Sequence, residues 1–255
     1  MPRILFDHIA IAIPRMADAP AFLVGELGGE PFHGGPSGVY RFGQWRFAGG
    51  GCLEILEPLG DAGFLHRFLA ERGPGIHHVT FRVPGLREAC ERAEAHGYKI
   101  VGYDDSNPRW QEAFLHPKQA LGIVVQLVAS PLGSEPLRPW EVPSGPASAP
   151  PAVTVVGLRM RARSRERARV QWHSVLQGEC AEGVGGELIF RWRASAMRIV
   201  VEIDPSREEG PVAIELASRH ALALPAGPHP VLGAVFARGA GDTPLSSPPA
   251  SLVLP

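Results

Sequence analysis

Two histidines occupy the same place in a phrase that this chain writes twice. "FDHIAIAIP" runs from Phe6 to Pro14 and "IHHVTFRVP" from Ile76 to Pro84, so His8 falls on His78, Ile9 on Val79, Ile11 on Phe81 and Ile13 on Val83, an offset of 70 residues. A second match follows: "CLEIL" lies on "VVQLV" at an offset of 72 and sets Glu54 opposite Gln126. One histidine alone is more often a hydrogen-bonded structural residue than a ligand. Two in register, each followed 46 or 48 residues later by a carboxylate or amide on a matching run, are what a metal site between two pseudo-symmetric modules requires. Imidazole nitrogen with carboxylate or amide oxygen suits a divalent first-row ion, with zinc, nickel, cobalt, manganese and iron not distinguished. The carboxylate keeps such an ion hard enough to hold water or a substrate oxygen.

These side chains need strands to aim them. Alternation puts Ile9, Ile11 and Ile13 on one face of the first strand and His8, Ala10 and Ala12 on the other, so the aliphatic face packs and the small-residue face borders an open space. In the second copy Val79, Phe81 and Val83 pack while His78 and Thr80 face the space, which sends His77 to the packed side. A helical stretch follows each copy: "RMADAPAFLVGELGG", then "LREACERAEAHG" with Leu86, Ala89, Cys90 and Ala93 at helical spacing; Gly28 and Gly97 end them. Strand-like runs come next, "VYRFGQWRF" and "CLEILEP" in the first copy, "YKIVGYDD", "EAFLHP" and "GIVVQLVA" in the second. The expected fold is α+β, built from tandem β-α-β-β-β modules with the first pair complete.

The pair occupies residues 1–131, and the Pro-, Ser- and Gly-rich stretch 132–152 reads as a linker. Beyond it, 153–238 repeats the pattern weakly: "VTVVGLRMRA", a helix in "RERARVQWHSVLQG", then "ELIFRWRA" and "MRIVVEID". "GPVAIELAS" and "HPVLGAVFA" begin a fourth module with no helix-length segment between them, so this second pair is expected to be degenerate, and 239–255 reads as a tail. Laying the third module on the first puts Gly157 near the place of His8, leaving that domain without a metal site. Arginines at alternate positions from Arg159 to Arg169 read as a solvated face.

Composition narrows the partners. Lys plus Arg is 25 against 26 Asp plus Glu, so no basic excess points to nucleic acid. No stretch reaches the roughly 18 apolar residues of a membrane span, and the N-terminus lacks a signal-peptide apolar run, so a cytoplasmic location is expected. The three cysteines, Cys52, Cys90 and Cys180, lack the spacing of a disulfide framework or zinc knuckle and read as buried thiols.

The order "LEILEPLG", "FLAERGPGIHHVTFRV", "AFLHPK" and "GIVVQLV" resembles the vicinal oxygen chelate superfamily, which includes glyoxalases, bleomycin and fosfomycin resistance proteins and extradiol dioxygenases, and is most similar to its methylmalonyl-CoA epimerase-like branch. The resemblance implies paired modules around a metal, with His8, Glu54, His78 and Gln126 as ligands. It implies a metal-dependent isomerase, epimerase or lyase acting at the carbon next to a carbonyl through a metal-stabilised enolate, with Glu54 as ligand and base. It also implies a small-molecule substrate, with Arg109, Gln111 and His116 near it, and is compatible with a homodimer. The epimerase pattern has glutamate where this chain has Gln126. An amide coordinates through oxygen but takes no proton near neutral pH, so one base rather than two is expected. Two other readings fit the same ligands: a non-haem iron dioxygenase of this fold, and a small-molecule binding protein without catalysis.

Overall fold

The computed structural model describes residues 3–130 and 142–239. The first module consists of β1 (Leu5–Ala12), a single 3-10 turn (Met16–Asp18), α1 (Pro20–Leu23), β2 (Glu30–Ser37), β3 (Tyr40–Arg46) and β4 (Cys52–Pro58). A helix, α2 (Phe64–Arg72), leads to the second module, made of β5 (Gly75–Arg82), α3 (Leu86–Ala95), β6 (Ile100–Asp104), β7 (Gln111–Leu115) and β8 (Val124–Ala129). The two modules form one sheet in the order β2-β3-β4-β1-β5-β8-β7-β6, with the two first strands antiparallel at its centre.

Two elements here lack a counterpart in the sequence reading. Strand β2 carries Pro31, Gly34, Gly35 and Pro36, a composition that breaks most strands, yet it lies at the sheet edge, where a missing N–H costs no ladder bond. Helix α2 sits in what reads as a plain connection; its Phe64, Leu65, Phe68 and Leu69 fall at i, i+1, i+4 and i+5, a helical stripe after all. Leu65, with Phe68 and Leu69, packs on Ala10, Ala12 and Leu56, covering one end of the small-residue face. Conversely, the first expected helix is short, because Pro20 lacks an N–H and restarts the turn that begins at Met16.

After residue 152 come β9 (Thr154–Ala162), α4 (Arg165–Arg169) continued by a π-helical turn (Val170–Val175), β10 (Glu179–Glu182), β11 (Leu188–Arg191), β12 (Arg198–Ile203), β13 (Gly210–Ala217) and β14 (Phe236–Arg238). Their sheet order, β10-β11-β12-β9-β13-β14, is that of the first sheet up to β8. As β1 pairs parallel with β4 and antiparallel with β5, so β9 pairs with β12 and β13; as β5 pairs parallel with β8, so β13 pairs with β14. The fourth module therefore keeps its first and last strands and has lost the helix and two strands between.

The register makes the comparison residue by residue. Gly157 pairs with Glu215 as His8 pairs with Thr80, and Arg159 with Ala213 as Ala10 with His78. Gly157 has φ 147, and a Cβ there would run into the Arg198 carbonyl, so no ligand side chain fits at the place of His8. Arg159 instead reaches Glu215 at 2.7 Å and Glu202 at 3.1 Å, and Arg198 reaches Glu215 at 3.2 Å. A guanidinium–carboxylate cluster fills the site-bearing face of the second sheet, with Glu215 only 1 % exposed. The solvated face expected for the arginine run holds for α4, where Arg165 and Arg169 reach Glu182 on the surface, and fails on β9, where the partners are buried or half-buried.

The apolar faces of both sheets enter one continuous core. Ile9, Ile11, Val79, Phe81, Leu53 and Leu127 from the first share it with Leu158, Met160, Ile199, Ile214 and Leu216 from the second. Trp192 packs against Phe81 at 4.7 Å and Phe6 at 5.8 Å between ring centroids, and Trp172 lies 6.0 Å from Phe81. Gly51, with φ 87, lets the sheets approach: a Cβ there would come within 2.6 Å of Val155. Of the expected linker, 132–141 falls outside the described residues; 142–152 forms no helix or strand, and Val142 joins the core. Of the expected tail only Gly239 is described.

Tyr98 spans this contact, its hydroxyl donating to Gln171 at 3.4 Å. Burial raises its pKa from 10.0 to about 12. The folded protein thus holds this proton more tightly than the unfolded chain, so its contribution to stability is complete below about pH 10 and is lost as pH rises through about 12. Chemical denaturation at stepped alkaline pH should show that loss, and Tyr98→Phe should diminish it; an unchanged alkaline profile would contradict the assignment.

Candidate metal centre

Two β-bulges set the aim of the histidines. One extra residue, Asp7, sits in β1 between the pairs Phe6–Phe81 and His8–Thr80; another, His77, sits in β5 between Ala10–His78 and Ile11–Ile76. Strict alternation would put Phe6 on the face of His8, but the bulge returns it to the core, where it stacks on Phe81 at 4.8 Å. The second bulge corrects the placement of His77. It is not turned into the core opposite His78 but lies under α2, with ring centroids 5.5 Å from Phe64 and 4.9 Å from Phe68, and its Nδ1 is 3.0 Å from His78 Nδ1.

On the opened face, His8, Glu54 and His78 converge, their ligand atoms all within 4.8 Å of one another. Glu54 Oε1 lies 3.5 Å from His8 Nε2 and 3.7 Å from His78 Nε2, and all three residues are buried. Glu54 Oε2 accepts a hydrogen bond from Gln44 Nε2 at 2.8 Å, which holds the carboxylate with its other oxygen toward the histidines. Strand pairing explains the meeting: β4 and β5 flank β1, with Ala10 opposite Glu54 on one side and His78 on the other. The alanine leaves the room that the two side chains fill.

Gln126, buried on β8 and paired with Thr80, stands one hydroxyl away. The Thr80 hydroxyl donates to Gln126 Oε1 at 2.6 Å and lies 2.9 Å from His8 Nε2. Gln126 Nε2 donates to Glu112 Oε2 at 2.7 Å. Of the residues expected near a substrate, Arg109 is in the exposed turn before β7, its N–H donating to Asn107. His116 Nδ1 accepts the Lys118 N–H and closes the turn after β7. Gln111 shares the parity of Ala113 and Leu115, whereas its neighbour Glu112 shares that of Phe114, which pairs with Gln126. Among the described residues none of the three hydrogen-bonds to His8, Glu54 or His78.

Electrostatics divides the two histidines. Burial acts to lower His8, but Glu54 beside Nε2 and Asp7 at 2.8 Å from Nδ1 outweigh it and raise the pKa to about 10. Asp7 is itself held at about 2: burial acts to raise it, but the bond to His8 and the charges of His8 and Arg82 prevail. His78 goes the other way, pushed well below its ordinary value by burial and by the charges of His77 and His8, with Gln126 acting weakly against them. A buried neutral imidazole with no completed hydrogen bond at Nε2 is unusual. The donor set therefore fits a divalent ion: two imidazole nitrogens, one of them otherwise unpartnered, and two oxygens held by neighbouring polar groups.

Residues that the sequence pattern did not single out for function are Asp7, Gln44, Thr80 and Glu112, together with the half-buried His33, which lies opposite Gln44 in the β2–β3 pair and within reach of the Glu54 charge. Glu112 was legible, since alternation from Gln126 through Phe114 marks it. Asp7 and Gln44 carry no repeat signal.

Residues 7–114 match the model of the glyoxalase/bleomycin resistance protein/dioxygenase superfamily. That stretch is a glyoxalase-superfamily domain. The fold is accordingly glyoxalase-like, α+β, with one complete module pair. An ethylmalonyl-CoA/methylmalonyl-CoA epimerase of Cereibacter sphaeroides is 29% identical over 133 residues, covering 48% of this chain and 94% of the relative. YqjC, an uncharacterized protein of Bacillus subtilis, is 29% identical over 127 residues, covering 48% of this chain and 89% of YqjC. The crystal structure of methylmalonyl-CoA epimerase from Mycobacterium tuberculosis has a TM-score of 0.46 and 26% identity, over 49% of this chain and 87% of that one. No helix among the described residues is long and apolar enough to cross a membrane.

Proposed function

We propose that the glyoxalase-superfamily domain is a metal-dependent isomerase, of the epimerase kind, that moves a proton at the carbon next to the carbonyl of an acyl thioester. The observation that carries this is the convergence of His8 Nε2, Glu54 Oε1 and a buried, unpartnered His78 Nε2 on one point of the sheet. The relatives named as ethylmalonyl-CoA and methylmalonyl-CoA epimerases support the substrate class.

His8, Glu54 and His78 would hold the ion, with Gln126 Oε1 as a further oxygen donor. When bound, the ion supplies a Lewis acid for the negative charge that develops on the carbonyl oxygen, without which the α-proton is too weakly acidic for a side chain to remove. The chain's own residues do the rest. Asp7, fixed by Arg82 at 2.6 Å, orients the His8 ring through Nδ1, and Gln44 orients Glu54. Helix α2, through Leu65, Phe68 and Leu69, covers one end of the face and limits water there. Glu54 is the carboxylate at the reacting centre and carries the proton.

Elemental analysis of protein purified without added metal, followed by deuterium uptake from heavy water into a malonyl-type thioester, tests this reading. The wild type should hold a divalent ion and exchange the α-proton; Glu54→Gln should reduce exchange by about 100-fold or more, the scale of a lost general base. Metal-loaded Glu54→Gln with full exchange on the thioester would overturn the role of Glu54. Iron with oxygen uptake would move the reading to oxygenase chemistry.

A further inference from the structure

A buried glutamine can present either its oxygen or its NH2 to a given neighbour, because the two ends are nearly the same size and opposite in hydrogen-bonding sense. At Gln126 the partners decide between the ends. Glu112 Oε2 lies 2.7 Å from Nε2, and a carboxylate can only accept, so the NH2 end must face it. Trp110 Nε1, a donor only, gives its proton to the same Glu112 oxygen at 3.0 Å. The Oε1 end is thereby turned to Thr80, whose oxygen is 2.9 Å from His8 Nε2.

The first module makes the same kind of pair with its members exchanged. There Gln44 on β3 donates to Glu54 on β4, and Glu54 Oε1 is left facing the histidines. In each module the third and last strands share one carboxylate and one amide, but the last strand carries the carboxylate in one and the amide in the other.

We propose that Glu112 is a positioning residue that makes Gln126 an oxygen donor, and that the Glu112–Gln126 pair acts as a unit: position 112 must offer an acceptor to the Gln126 amide, and a carboxylate at 126 is tolerated only when 112 becomes a donor. The part of this that concerns an ion rests on the metal reading of His8, Glu54 and His78; the pairing itself does not. The consequence is electrostatic. With Gln126 the inner donors carry one negative charge, that of Glu54, while the second carboxylate is one hydrogen bond further out, so a bound cation keeps more of its Lewis acidity than between two ligating carboxylates. Gln126→Glu alone would set two carboxylates at hydrogen-bond distance, where they repel or must share a proton.

Two readouts on the full-length chain test the proposal. In chelator-treated protein, the Gln126 side-chain amide should show one proton shifted downfield and slow to exchange by nitrogen–proton NMR, and Glu112→Ala should abolish this while the backbone spectrum is retained. In titrations with zinc alone, Glu112→Ala should weaken affinity about 10–100-fold, and Glu112→Gln should recover most of it, since its side-chain oxygen still accepts from Gln126. Gln126→Glu should gain no affinity alone, whereas the double variant Glu112→Gln/Gln126→Glu, which restores a donor–acceptor pair, should bind at least as tightly as the wild type. The proposal is overturned if Glu112→Ala leaves the Gln126 amide unchanged, or if Gln126→Glu tightens zinc equally with and without Glu112→Gln. A wild type that binds no zinc, yet loses the amide signature in Glu112→Ala, would defeat the metal reading and sustain the positioning role.

Discussion

His78→Ala should abolish zinc binding at the proposed centre. His78 Nε2 is buried, completes no hydrogen bond and stands 3.7 Å from Glu54 Oε1, so its removal takes away a nitrogen donor that no nearby group replaces. His8→Ala should do the same, and would in addition leave Asp7 without one of the partners that hold it at about 2. His77→Ala should act more weakly. Its Nδ1 reaches the site only through His78 Nδ1 at 3.0 Å, the place of an outer-shell partner that fixes ring orientation. Losing such a partner costs on the order of 10–100-fold in affinity, whereas losing either ligand should cost more than that. Zinc titration of the three purified variants, with metal content measured after dialysis, separates the two classes. Equal losses in all three would overturn the division between ligand and support.

Trp192→Ala should destabilise the whole chain by about 3–5 kcal/mol, the range for emptying a large aromatic from a core. Trp192 is 3 % exposed, packs on Phe6 and Phe81 from the first sheet, and donates its indole N–H to Leu176 O at 2.6 Å. The cavity would open on the back of the very strands that carry His8 and His78. A single cooperative denaturation transition, shifted as a unit, is expected by circular dichroism and by tryptophan fluorescence alike, because both sheets share one core. Two separated transitions, with only the later one displaced, would show that the sheets are stabilised independently.

Local regularities carried much of this into the sequence. The phrase repeated at residues 6 and 76 places His8 and His78 on first strands, and the offset match of "CLEIL" with "VVQLV" places Glu54 and Gln126 on last strands. The truncated fourth module was legible for the same reason, since a missing helix is a missing period. The lack of a ligand side chain at the place of His8 in the second sheet was legible at Gly157, although the Arg159–Glu215–Arg198 cluster that fills the face was not: an arginine on a strand has the same sequence signature whether it meets water or a buried carboxylate.

What alternation alone could not supply were the bulges at Asp7 and His77. A single inserted residue reverses the side on which every earlier side chain points, so Phe6 returned to the core and His77 came to lie beneath α2. Glu112 became part of the site for a second non-local reason. Its parity was readable, but its partner Gln126 lies across a strand pair, and only the paired geometry shows a carboxylate closing on the amide at 2.7 Å. Which strands bear donor atoms could be read from period and repeat alone. Which atoms meet, and which neighbours aim them, was decided by register, bulges and the packing of the second sheet, all of which depend on contacts between residues far apart in the chain.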